Sequence, residues 1–189
     1  MPVKFTPPLL LLALLGACAD NSVTKPVEFL DDRSGMTVGA LRAPIELVPG
    51  TPLLSHVGNH ISFAYLGPVE WDRMGVIEYG LWVHIAPGSD RQVADIRAPA
   101  ALTLVLDDGS IVLSPIDAPQ LGRSPYDPVA SWGQTAYFEL SVPLLKRMAG
   151  SAKLELDVRG GDAVVSFLPS ADTRPVLRDY LKDRSIDAD

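Results

Sequence analysis

The sequence predicts a mainly all-β protein: an antiparallel β-sandwich of about seven or eight strands, with one short helix and a C-terminal amphipathic helix. Three observations carry this. Short apolar stretches alternate with polar residues at a period of two. Seventeen prolines and fifteen glycines divide the chain into such stretches. Two pairs of stretches are joined by Asp-Gly or Gly-Gly, the residues that tight hairpins need. A partly closed barrel satisfies the same pattern.

The chain opens on residues 1–17, which read as a signal peptide. Lys4 and the amino terminus are positive, Leu9 to Leu15 form a short apolar core, and the small residues Gly16 and Ala17 follow. The apolar run is far below the roughly 20 residues that span a bilayer as a helix. Cys18 comes next and is the only cysteine. Leu15-Gly16-Ala17-Cys18 resembles the bacterial lipobox. That resemblance implies cleavage between Ala17 and Cys18, a diacylglycerol thioether on the sulfur, and usually acylation of the new amino terminus. Two or more acyl chains anchor stably where one does not, since each buried methylene contributes about 0.8 kcal/mol. By similarity to the enterobacterial sorting rule, Asp directly after the cysteine marks the inner membrane. Ala19 stands there and points to the outer membrane; Asp20 lies one place later, where other bacteria read the signal.

Residues 18–28 are polar and aperiodic and read as a lipidated tether, with a reach of roughly 30 Å when extended. Residues 29–184 read as one domain and 185–189 as an acidic tail. A lone cysteine allows no intramolecular disulfide, so the fold stands on its core alone. A chain of this length buries enough surface for that.

Within the domain, residues 36–42 read as a first strand, continued by 45–48 after Pro44. Residues 61–66 and 78–85 are further candidates; in the latter Tyr79, Leu81, Val83 and Ile85 share one face. The clearest hairpin joins residues 102–106 to 110–113 through Asp107-Asp108-Gly109. A second joins 153–159, where Leu154, Leu156 and Val158 alternate with charged residues, through Gly160-Gly161 to 163–168. Residues 135–141 form another strand. Ser141 caps a short helix through Met148, with Pro143 in the first turn and Gly150 after the end. A second helix over residues 174–183, capped by Asp172 or Thr173, carries a stripe of Val176, Leu177, Tyr180 and Leu181. Residues 114–133 hold four prolines and read as a long connection of the kind that is often functional or mobile.

The chemistry is sparse. There is no G-x-S-x-G elbow, no H-E-x-x-H, no cysteine pair and no glycine-rich phosphate loop, so no cofactor is expected. The formal net charge of −7 becomes −8 once Lys4 is lost, and there is no basic stripe. Such a chain repels phosphate backbones, which argues against nucleic acid as a partner. His56, His60 and His84 are the only histidines. On a strand the first two stand roughly 13 Å apart, too far for one ion, so a metal site requires a loop that gathers all three. Asp107-Asp108 reads as a turn and Asp31-Asp32-Arg33 as a solvated entry loop.

The most distinctive stretch runs from residue 65 to 75: Tyr-Leu-Gly-Pro-Val-Glu-Trp-Asp-Arg-Met-Gly. It combines a Gly-Pro turn with an aromatic residue and a charged cluster. One reading is a surface patch that grips a partner through Trp71 and Arg73. The other is a hairpin connection with Trp71 packed on the sheet. Together with the lipobox, the segment Asp32-Arg33-Ser34-Gly35-Met36-Thr37-Val38 and the Asp-Asp-Gly hairpin, this stretch resembles a group of proteobacterial outer-membrane and periplasmic lipoproteins with no assigned activity. The resemblance spans most of the mature chain. It implies an envelope location and carries over no catalytic residue.

The expectation is therefore a lipid-anchored envelope protein, a non-enzymatic binding or assembly-accessory module that meets a membrane through its anchor and another envelope protein through its surface. The competing readings are a periplasmic small-ligand or metal-binding protein using the histidines, and a hydrolase without a recognisable motif.

Overall fold

In the computed structural model, residues 26–50, 62–88, 102–160 and 163–186 are described. The strands are β1 (Val27–Asp31), β2 (Met36–Ala40), β3 (Ile45–Pro49), β4 (Phe63–Arg73), β5 (Val76–Ala86), β6 (Leu102–Leu106), β7 (Gly109–Leu113), β8 (Pro115–Ile116), β9 (Gln134–Glu139), β10 (Leu154–Gly160) and β11 (Ala163–Pro169). Among the described residues there are two helices, α1 (Val142–Gly150) and α2 (Arg174–Asp183).

The fold is mainly antiparallel β, as the alternation implies. The sandwich expectation is corrected in detail. The strands form one sheet in the order β7-β6-β10-β11-β3-β4-β5-β9-β8, with β2 also on β4 and β1 beyond β2. Only Ser114 separates β7 from β8, at the two ends of that order, and its carbonyl accepts from the Glu139 N–H at 2.9 Å. One bent segment thus brings the two ends together, and the sheet curls into a nearly closed barrel. Among the described residues the strands number eleven because β1 and β8 lack an alternating signature and residues 36–48 form two strands, β2 and β3, each on its own part of β4.

Register puts the interior in place. Leu104 faces Leu156 and Leu156 faces Phe167; Leu66 faces Ile45 and Val83; Leu81 faces Phe138. Apart from Ile45, which is nearly as covered, these side chains are fully buried. On the other face of β10 and β11, Arg159 and Val164 are open to solvent. Side chains of one parity therefore fill the barrel, and each fully buried Leu or Phe contributes about 1.5–3 kcal/mol.

The helices start where the caps predict, but α1 runs past Met148 through Gly150, which lies inside it, to a C-cap at Ser151. Ser141 accepts from the Leu144 N–H at 3.3 Å, and Pro143 stands in the first turn. At α2 the Asp172 carboxylate accepts from the Arg174 N–H at 3.0 Å, while Thr173 makes no side-chain cap bond. Leu145, Met148, Leu177, Tyr180 and Leu181 bury into the common core, and Arg178 Nε ties α2 to the Ala149 carbonyl at the end of α1. The Asp107-Asp108 turn is present with Gly109 at φ 134°. Asp107 also accepts from Lys153 N–H, and Asp108 holds Arg147. The sheet begins at Val27, so its first strand takes up the last two residues of the predicted tether.

Candidate functional site

β4 and β5 are eleven residues each, twice the length of most other strands. Gly67-Pro68 is therefore not a turn. Both residues lie in the middle of β4, and the true turn is Met74-Gly75, with φ of 54° and 88°. Both angles are in the left-handed region that two-residue hairpin turns require. The Gly75 N–H donates to Asp72 at 2.7 Å and closes the turn.

The Gly-Pro pair marks a handover between strands. Along one edge, β4 pairs with β3 up to Leu66 and with β2 from Val69. Pro68 sits in the gap, where its missing N–H leaves no rung of β3 or β2 unpaired. The gap is bridged by Tyr126, whose hydroxyl accepts from the Leu41 N–H at 3.1 Å and donates to the Pro68 carbonyl at 2.5 Å. Gly67 admits the ring, since a methyl group there would collide with Tyr126. Burial pushes the Tyr126 phenol far above its ordinary pKa.

Tyr126 belongs to residues 117–133, which cross the outer face of the sheet. The Gly122 N–H donates to Asp31 at 2.7 Å, Arg123 stands 4.0 Å over the Phe29 ring, and Ala130 N–H reaches the Tyr65 hydroxyl. Asp31 is buried rather than solvated. The Ser34 hydroxyl, and backbone N–H groups with it, hold its carboxyl below the usual range. Beneath this segment lies an aromatic layer in which Trp82 meets Tyr126 at 4.9 Å and stacks on His84 at 5.7 Å.

The upper end of the hairpin escapes this cover. Met74 is fully exposed, and Val76, Ile77 and Leu30 are 65%, 51% and 64% exposed. Between the hairpin and the crossing segment lies a cleft of about 350 Å³, lined by Met36, Trp71, Arg73, Val76, Glu78, Asp117, Ala118 and Pro119. That volume is at the small end of the ligand-pocket range.

Of the two readings of residues 65–75, the geometry bears on the second, a Trp71 packed on the sheet. Trp71 is buried, with its benzo ring on Gly80 and 5.7 Å from Tyr137, as a sheet-packed residue would be. It also lines the cleft, and its indole Nε1 is buried with no partner among the described residues. Arg73 is exposed at the rim.

His84 is buried, with Nδ1 2.8 Å from Thr135 Oγ1 and Nε2 3.1 Å from the carbonyls of Ala130 and Trp132. Facing two acceptors, Nε2 carries the proton and has no lone pair for a metal. His56 and His60 lie outside the described residues, as do Ala17 and Cys18. Among the described residues no three His, Cys, Asp or Glu side chains group as metal ligands.

Two residues that matter to this geometry carry no sequence signal. Tyr126 is one. Arg184 is the other: it bonds Glu28 at 2.8 Å, Glu70 at 3.3 Å and the Val27 carbonyl at 3.2 Å, pinning β1 and β4 to the end of α2. No family model, curated protein or solved structure matches the chain.

Proposed function

We propose that this chain is a lipid-anchored cell-envelope protein, held through Cys18 at the outer membrane on its periplasmic side, and that it acts as a non-enzymatic binding module through the β4–β5 tip. The observation that carries the reading is the exposure of Met74, Val76 and Ile77 together, on a fully paired hairpin beside a cleft that Arg73 and Trp71 line. Apolar side chains gathered at one projecting point of a folded monomer mark an interaction surface. The hairpin below them is paired on every rung, so the tip is presented without a large ordering penalty. The lipobox at Cys18 supports the anchor, and the acidic balance of the chain supports a protein partner over nucleic acid.

Two measurements test the two halves of this reading. Intact mass of the protein from its native host is expected to show a chain starting at Cys18 with added acyl mass; an uncut chain, or a bare thiol, defeats the anchor. A photo-crosslinking residue at position 74 is expected to give discrete adducts in the envelope, and the same residue at the exposed position 164 on β11 none. Equal labelling from both positions defeats the tip as a contact surface.

A further inference from the structure

β5 is covered on both edges only in part. β4 pairs with it along its whole length, from Val76 to Ala86. On its other edge β9 pairs from Ile85 to Gly80 and ends there, at Glu139. Residues 76–79 therefore have no strand on that side among the described residues. Alternate residues of such a stretch turn their N–H and C=O groups toward the open side, where a strand satisfies them. The edge carries no proline, lysine or bulge of the kind that blunts exposed strands; Glu78 is its one charge. The free side of β1 differs, because Arg184 already takes the Val27 carbonyl.

The side chains around this edge describe the strand that would fit. Val76 and Glu78 lie on the cleft face with Trp71, and Ile77 and Tyr79 on the opposite face, by the alternation of the register with β4. Glu78 and Asp117 put two carboxylates into the cleft wall, against the single cation of Arg73 at its rim. The unpartnered Trp71 Nε1, buried in a residue that lines the same cleft, is a donor in want of an acceptor. A second copy of this chain fits poorly. Antiparallel pairing of two such edges, with faces matched, sets Glu78 against Glu78 or against Val76, between bodies that each carry a net negative charge.

We infer that the open edge of β5 at residues 76–79 takes up an extended segment of a partner polypeptide as an added strand, one that turns a basic side chain toward Glu78 and Asp117 and apolar side chains toward Ile77. This rests on the reading of the tip as a contact surface and names its mode. Backbone bonds to the edge supply attachment, and the alternating side chains supply selectivity.

The full chain, purified from membranes in detergent, is titrated with fluorescein-labelled nonapeptides and followed by anisotropy. An alternating Val/Lys peptide is expected to bind at least about tenfold tighter than an alternating Val/Glu peptide, the size of effect one close charge pair gives. A Val/Lys peptide interrupted by proline is expected to lose a similar factor. Glu78→Lys is expected to reverse the preference toward Val/Glu, a gain that misfolding cannot produce. Equal affinity for the two charge patterns, tolerance of proline, or an unchanged preference in Glu78→Lys overturns the inference. So does concentration-dependent dimerisation lost on Ile77→Pro, or a blue shift of Met74→Trp fluorescence on phosphatidylethanolamine/phosphatidylglycerol vesicles without peptide binding. Discrete crosslinks from position 74 with no peptide selectivity would leave the tip a contact surface and remove strand addition alone.

Discussion

The two ends of the β4–β5 hairpin are built from the same strands and do opposite things. At the lower end, Leu66 faces Val83 inside the barrel and Gly67 faces Trp82 under the crossing segment, so both faces are buried. At the upper end, past Trp71 and Glu78, neither face is covered, and Met74, Val76 and Ile77 meet solvent. Pairing is continuous between them. The contrast separates the requirement for a strand from the requirement for a core: the tip is held in shape by what lies below it. It contributes little stability and is free to be selected for contact.

The sharpest break of this contrast is at the lower end. Leu66→Ala is expected to cost about 3 kcal/mol in chemical denaturation, since its cavity lies in the barrel interior. Next comes the clamp at the end of α2. Arg184→Ala leaves Glu70, a buried residue, without its cation, and a loss of about 3 kcal/mol is expected for a half-broken buried pair. Tyr126→Phe removes one hydroxyl and strands the Leu41 N–H and the Pro68 carbonyl, for about 2 kcal/mol by the same measurement.

A milder effect is expected at high pH. Burial pushes the Tyr137 phenol up to about 12. Burial, with Glu70 beside it, does the same to Tyr79, also to about 12. A raised folded pKa means that the neutral phenol is the form the fold favours. The stability it contributes is complete below the ordinary value of 10.0 and is lost as the pH rises from there through about 12. Thermal melts are expected to fall over that window, and less so in Tyr137→Phe. The smallest effect is at the tip: Met74→Ser and Ile77→Ser are expected to stay within about 0.5 kcal/mol of the parent, as exposed positions do, while Ile77→Ser abolishes the adducts formed from the crosslinker at position 74. A large loss of stability there would erase the distinction between the two ends.

Much of the fold was legible in the sequence wherever neighbours in the chain are neighbours in space. The 102–113 and 153–168 hairpins announce themselves by alternation and by Asp-Gly and Gly-Gly, and both helices by a capping side chain and a proline in the first turn. The hairpin that carries the candidate site was only half legible. Gly67-Pro68 carries the local signature of a turn, but its glycine serves the approach of a ring from residue 126 and its proline occupies a gap between two partner strands. Neither reason is local. Tyr126 is 85 residues from Leu41, and Arg184 is 156 from Glu28, so no window of sequence contains those contacts. Curling into a barrel rather than splitting into two sheets depends on the single-residue step at Ser114, which alternation does not report. Trp71 and Arg73 stand out in the sequence because aromatic and charged residues cluster there. The open edge beside them becomes visible only when β9 is seen to stop at Gly80.

Amide hydrogen exchange along β5 of the full chain, read residue by residue with and without the Val/Lys peptide, tests the difference between the two ends most directly. Within residues 76–79, the amides that face the open edge are expected to exchange rapidly in the free protein and slowly in the complex, while those of Gly80 to Ile85 that bond to β9 are slow in both. Protection of 76–79 already equal to that of 80–85 in the free protein, or no gain of protection with peptide at saturation, would contradict an open edge that receives a strand.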